Sequence, residues 1–101
     1  MIVRIVRMGF KKEEVDNFQN TFSRYSSQIA QAEGCAYLEL WKDSEEPNVF
    51  FTHSHWDHES SLERYRESLV FKEIWGHVKP LFDRKPEAWT VYSVFKTNVE
   101  A

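Results

Sequence analysis

Several short stretches of this chain alternate with a two-residue rhythm yet carry large apolar side chains at both parities, as in Ile2 beside Val3, Phe50 beside Phe51 and Val91 beside Tyr92. Successive residues of a strand point to opposite faces, so a sheet built from such strands is apolar on both sides. One layer of helices covers only one of them. The chain is therefore constrained to a fold whose second sheet face meets something other than water.

The rest of the pattern supplies the elements. Residues 2–8 place Ile2, Arg4, Val6 and Met8 on one face of a first strand and Val3, Ile5 and Arg7 on the other. From Lys11 to Glu33, the positions Val15, Phe18, Phe22, Tyr25, Ile29 and Ala32 recur at spacings of three and four, one stripe of a long helix that Gly34 ends. Residues 35–42 and 49–56 read as two strands of an antiparallel hairpin around the turn-rich segment 43–48. Asp57 suits the N-cap of a second helical region, with Leu62, Tyr65 and Leu69 inward, then Phe71, Ile74, Trp75, Val78 and Phe82, and with Pro80 bending or shortening its end. Residues 89–95 alternate again as a fourth strand. The order β-α-β-β-α-β predicts an α+β, ferredoxin-like domain over residues 1–101, in which a four-stranded antiparallel sheet carries two helices on one face. A second sheet from an identical chain is the simplest cover for the other face, which predicts a homodimer.

Composition bounds the function. With 101 residues, 42% of them hydrophobic, and with four Trp and eight Phe, one small domain cannot bury every bulky side chain, so aromatic surface is expected to meet a partner or a ligand. The net charge of −3 and the scatter of Lys and Arg give no basic stripe for nucleic acid. Cys35 is the single cysteine, which excludes an internal disulfide and fits a reducing compartment. No apolar run reaches membrane-spanning length, and the start of the chain lacks the unbroken apolar stretch of a signal peptide, so the expected location is the cytoplasm. Only three glycines are present, with no dinucleotide fingerprint or phosphate loop, so no nucleotide motif speaks for a tightly held flavin.

The segment Thr52-His53-Ser54-His55-Trp56-Asp57-His58 holds three of the four histidines. Alternation places His53 and His55 on one strand face, roughly 7 Å apart along the backbone. Such a pair, with His58 or Asp57, has the makings of a metal site, although no second ligand cluster accompanies it. Equally, one neutral imidazole suffices as a general base towards a phenol or hydroquinone, and sequence does not separate His53 from His55 in that role. Either residue also fits a plain place in the core or at the dimer face, and the hairpin register decides which face they share. Tyr37, Trp41, Trp56, Tyr65, Phe71 and Trp75 would give a pocket between sheet and helices a flat aromatic lining, or simply fill the core. Arg66, with Glu63, Arg64 and Glu67, reads as a solvated helix face, and Cys35 as a small buried hydrophobe.

Gly34-Cys35 entering a strand, an acidic turn with Pro47, Phe51 and Trp56 bracketing the next strand, and Tyr65-Arg66-Glu67-Ser68-Leu69-Val70-Phe71 resemble, in that order, the antibiotic biosynthesis monooxygenase family over about residues 1–96. The resemblance implies a dimeric α+β barrel and a cofactor-independent monooxygenase acting with molecular oxygen on a small aromatic, phenolic or quinol substrate. On this reading His53 or His55 is the base, Tyr65 hydrogen-bonds the substrate anion, and Tyr37, Trp41, Phe71 and Trp75 hold the ring. The heme-degrading branch of the same family is not matched: Arg7 or Met8 stands where its strand Asn would be, Tyr65 replaces its helical Trp, and Trp75 replaces its iron-ligating His, with His77 about 200° around the helix from the required position. Two alternatives remain, a dimeric barrel that binds or senses an aromatic metabolite without turning it over, and an interaction protein whose aromatics serve the dimer alone.

Overall fold

The computed structural model describes residues 1–97. The alternating stretches form β1 (Ile2–Gly9), β2 (Cys35–Lys42), β3 (Val49–Trp56) and β4 (Glu87–Tyr92), joined in one sheet of order β2-β3-β1-β4. Each of the three neighbouring pairs is antiparallel. The hairpin strands have the boundaries that the sequence predicts. β4 does not: it begins two residues earlier than expected and ends at Tyr92, because Tyr92 pairs with Ile2, the first residue of β1, where the ladder ends.

The helices lie on one side. A short 3-10 turn (Lys12–Glu14) leads into α1 (Val15–Ala30), which buries Phe18, Tyr25 and Ile29. Gly34 follows at φ +89°, in the left-handed region, and a Cβ there would meet the side chains of Asp57 and Ser61 at 2.4 Å. The second helical region is broken in two. α2 (Glu59–Glu67) stops at Ser68, whose extended backbone (ψ 158°) starts α3 (Leu69–Val78), with the Ser68 hydroxyl accepting from the Phe71 N–H at 3.1 Å. The serine caps a new helix where the sequence pattern suggests a continuous one. Asp57 is not the cap of α2; His58 occupies that position without a side-chain bond. The 3-10 turn Lys79–Leu81 carries Pro80 and returns the chain to β4. Among the described residues no helix is long and apolar enough to cross a membrane.

Side chains paired across antiparallel strands share a face. The register therefore places Ile2, Arg4, Val6 and Met8 with Trp56, Ser54, Thr52 and Phe50 under the helices. Val3, Ile5 and Arg7, with His55, His53 and Phe51, occupy the helix-free face. Beneath the helices the core is split. One cluster centres on Met8, Phe10, Phe18, Phe50, Val78 and Leu81, with Phe10 stacked on Phe18 at 4.0 Å; the other is Ile2, Trp56 and Leu62. Between them the central strands present Arg4, Thr52 and Ser54, polar residues where a continuous core would need apolar ones.

The end of the sheet near Phe10 is held by buried Asn48. Its amide donates to the Phe10 carbonyl at 2.8 Å and to Asp83 at 3.2 Å, while its own carbonyl accepts from the Phe10 N–H at 2.9 Å. Arg84 adds bonds to Asp83 and Glu46, tying the 43–48 turn to the start of β4.

Candidate active site

The gap between the two core clusters is a cavity of about 370 Å³, floored by β1 and β3, roofed by α2 and α3 and closed on one side by Phe18, Phe22 and Ile29 of α1. Trp56, Tyr65, Phe71 and Trp75 wall it as a continuous aromatic ladder. Trp56 stacks on Tyr65 at 5.1 Å, Tyr65 meets Phe71 edge-on at 5.3 Å, and Phe71 lies parallel to Trp75 at 5.8 Å. The Trp56 indole N–H is satisfied by the Ser54 hydroxyl at 2.9 Å, so that ring is fixed both by packing and by a hydrogen bond. Ladder and cavity follow from the same local cause: the break at Ser68 turns α3 away from the line of α2, so that Tyr65 and Phe71, six residues apart, meet at a corner.

The polar groups of the cavity are few. Tyr65 is half-buried, and burial, with the nearby Cys35 thiol as a lesser cause, pushes its phenol up to about 12. It therefore stays protonated at neutral pH and acts as a hydrogen-bond donor. Arg4 rises from β1 on the helix face and donates to the Thr90 hydroxyl of β4 at 2.8 Å. Burial, and next the charge of Arg66, draw the Arg4 guanidinium below its ordinary value, although it remains a cation at any physiological pH. Arg66 reaches the same cavity from α2. Sequence reasoning missed both arginines. Arg66 looked like part of a solvated face, and Arg4 was one polar residue in an apolar row; that interruption, with Thr52 and Ser54 opposite, was the available signal.

The residues expected to act together are not gathered at one place. Tyr65, Phe71 and Trp75 line the cavity, whereas His53, His55, Tyr37 and Trp41 stand on the helix-free face, with the sheet between them and the cavity. The register is the reason. Tyr37 pairs with His55 and Trp41 with Phe51, at the parity opposite to Trp56 and Ser54, and a bulge between Cys35 and Tyr37 lets Cys35 stay on the helix side. The four form a second cluster. Trp41 stacks on His53 at 4.5 Å, Tyr37 lies 4.9 Å from His55, and the two imidazole Nε2 atoms are 3.1 Å apart. Glu39 accepts from the Trp41 indole and the Tyr37 hydroxyl, bonds that hold its carboxyl below the usual range. Burial first, then the His53 charge, lowers the His55 pKa. The Nδ1 of His53 is buried without a partner. Among the described residues no group of three or more His, Cys, Asp or Glu stands close enough together to hold a metal ion.

Comparison with known proteins agrees with the geometry. The sequence profile of the antibiotic biosynthesis monooxygenase family matches residues 1–75. No curated protein sequence matches the chain. Among solved structures, a conserved protein from Methanosarcina mazei Go1 superposes with a TM-score of 0.84 at 25% identity, over 90% of this chain and 91% of that one. An antibiotic biosynthesis monooxygenase superposes at 0.87 with 16% identity, covering 93% and 99% of the two chains. Rv0793 from Mycobacterium tuberculosis does so at 0.87 with 11% identity, covering 96% and 98%. Identities this low speak to the fold, which all three share nearly end to end, while the profile match over three quarters of the sequence speaks to descent. The chain belongs to the antibiotic biosynthesis monooxygenase family.

Proposed function

We propose that this protein is a monooxygenase that binds a small phenolic or quinol ring in the cavity between sheet and helices and lets that ring reduce molecular oxygen directly. The aromatic ladder Trp56–Tyr65–Phe71–Trp75 carries the reading, because it walls a ring-sized space and includes one phenol that stays protonated at neutral pH. Ground-state oxygen reacts slowly with closed-shell molecules, so the substrate must first become electron-rich. A quinol does so by losing a proton to water, and the Tyr65 hydroxyl stabilises the anion by donating to its oxygen. The anion passes one electron to oxygen, and the resulting semiquinone and superoxide combine at a ring carbon. The peroxide anion takes a proton back from water to become a hydroperoxide, which loses water, so that quinol and oxygen give hydroxyquinone and one water. His53 and His55, on the other face, take no part in this scheme; they belong to the surface that a second copy of the chain covers in a homodimer.

A second reading, a binder without turnover, is favoured by one observation: Arg4, Arg66 and Tyr65 in the cavity lining are not bases at neutral pH, and Glu87 at its border is held by Arg7. Oxygen uptake screened over phenols, quinols and anthrone-like compounds tests the first reading. Removing one donor of this kind typically lowers turnover by about a hundredfold to a thousandfold, which is the loss expected of Tyr65→Phe. Ring binding seen by tryptophan fluorescence with no oxygen uptake would establish the binder instead.

A further inference from the structure

Among the described residues, the two guanidiniums at the cavity have no counter-ion within 4.0 Å. Among the described residues, Arg7, Arg64 and Arg84 each have a carboxylate within 4.0 Å, at Glu46 and Glu87, at Glu33, and at Asp83 and Glu46. Arg4, Arg66 and the exposed Arg24 have none, and of these three only Arg4 and Arg66 line the cavity; the hydrogen bond that Arg4 makes is to a neutral hydroxyl. Glu87 borders the cavity, but its carboxylate is held by Arg7 at 3.2 Å, and its register with Arg7 puts it on the helix-free side. Two like charges at one cavity repel each other, and the Arg4 guanidinium is held below its ordinary value first by burial and then by the charge of Arg66. A guanidinium presents a planar fork that matches a carboxylate, and two such forks at the edge of a ring-sized cavity define an anion subsite next to an aromatic one.

We propose that the ligand of this cavity is an aromatic acid, a planar ring carrying a carboxylate, with the ring against the Tyr65–Phe71–Trp75 ladder and the carboxylate on Arg4 and Arg66. The inference rests on the ring-binding reading above and adds a charge requirement to it. Arg4 sits on a central strand and fixes one end of the ligand; Arg66, on the exposed side of α2, closes on the other carboxylate oxygen. Neutral quinols of the same size fill the ring site but leave both cations uncompensated, so acids outcompete them.

The test is binding of 1-naphthoate and of 1-naphthalenemethanol, the same ring with a charged or a neutral arm, to the full chain by tryptophan fluorescence and calorimetry. The acid is expected to bind at least about tenfold more tightly, in line with charge-assisted hydrogen bonds. Arg66→Gln, on an exposed helix position that tolerates change, should remove most of that preference, and Arg4→Gln the rest, with alcohol binding unchanged. Arg64→Gln, whose guanidinium faces Glu33, should leave both affinities alone. Raising the salt concentration should weaken the acid and spare the alcohol. Equal affinities for acid and alcohol in the wild type, or a preference that survives both Gln variants, would overturn the charge requirement while the ring site stands. Acid binding indifferent to Trp75→Ala would place the anion elsewhere on the surface and overturn it too. If neither probe binds the folded chain, the ring site and this inference fall together.

Discussion

The two faces of the sheet use similar residues to different ends. Under the helices, Ile2, Met8, Phe50 and Trp56 are spent on two dry clusters, and the polar Arg4, Thr52 and Ser54 keep the space between them open. On the opposite face Tyr37, Trp41, Trp89 and Val91 remain 38–44% exposed, around a pair of touching imidazoles. The first face has its cover within the chain and a hollow inside it. The second is continuous and has no cover among the described residues. Aromatic content alone therefore says little about where a ligand sits; the interruption of an apolar face by polar residues says more than its richness.

The sharpest way to break the contrast is to truncate one large residue on each face. Phe10→Ala should lower chain stability by about 3–5 kcal/mol in denaturant unfolding, the cost usual for a buried phenylalanine. Trp89→Ala should shift it by about 1 kcal/mol or less at protein concentrations too low for pairing. If the two losses were equal, the helix-free face would be as structural as the core.

Next in size is a charge at the surface proposed above to pair with a second copy. Val91→Glu puts a carboxylate into an apolar interface, where like charges and lost burial together cost several kcal/mol, so the dimer dissociation constant should rise about a hundredfold or more. Sedimentation would then report a 12.1 kDa species where the wild type gives twice that mass, with an unchanged circular dichroism spectrum. A wild type that is already monomeric would remove the reason for the exposed aromatics.

Smaller still is the loss of the cap between α2 and α3. Ser68→Ala removes the acceptor for the Phe71 N–H and should destabilise the chain by about 1 kcal/mol, with a larger proportional loss of ring binding, because the corner of the aromatic ladder is built on that bond.

The smallest effect concerns pH. His55 is held below its ordinary pKa of 6.5 in the folded chain, so the unfolded chain binds the extra proton first. Its contribution to stability is complete above about pH 6.5 and is lost as the pH falls towards the folded value. The wild type should therefore lose stability from neutral to mildly acidic pH, and His55→Gln should flatten that part of the profile. A helix-side variant such as Tyr65→Phe should leave the profile unchanged.

Much of this architecture can be read from the residues. The hairpin strands follow from alternation between clear turn signals, and the element order follows from them and the two helical stripes. Three things were not legible, each for a physical reason. The break at Ser68 is hidden because Leu62, Tyr65 and Leu69 keep spacings of three and four across it, as a continuous helix would; in the structure Leu69, expected inward, is 85% exposed at the start of α3, and the Ser68 cap bond marks the break. The extent of β4 depends on where β1 begins, which is a property of the pair and not of residues 89–95. The faces of the histidines depended on a register that a six-residue turn leaves free. With apolar residues at both parities, hydrophobicity could not choose between Trp56 and His55 as the one beneath the helices.

The shortness of α2 and α3 has a kinetic meaning. Helices of nine and ten residues are below the length at which an isolated helix is stable in water, so both persist only through the side chains they lay on the sheet. Much of what they cover is hollow. The roof of the cavity should thus open locally at lower cost than the sheet below it, while the amides of β1 and β3, central in the sheet, open only when the whole chain does. Ligand entry then needs no dedicated lid. Hydrogen exchange would show it as fast-exchanging amides across residues 59–78 of the free protein that slow sharply once a ring is bound, against central strands whose exchange changes little.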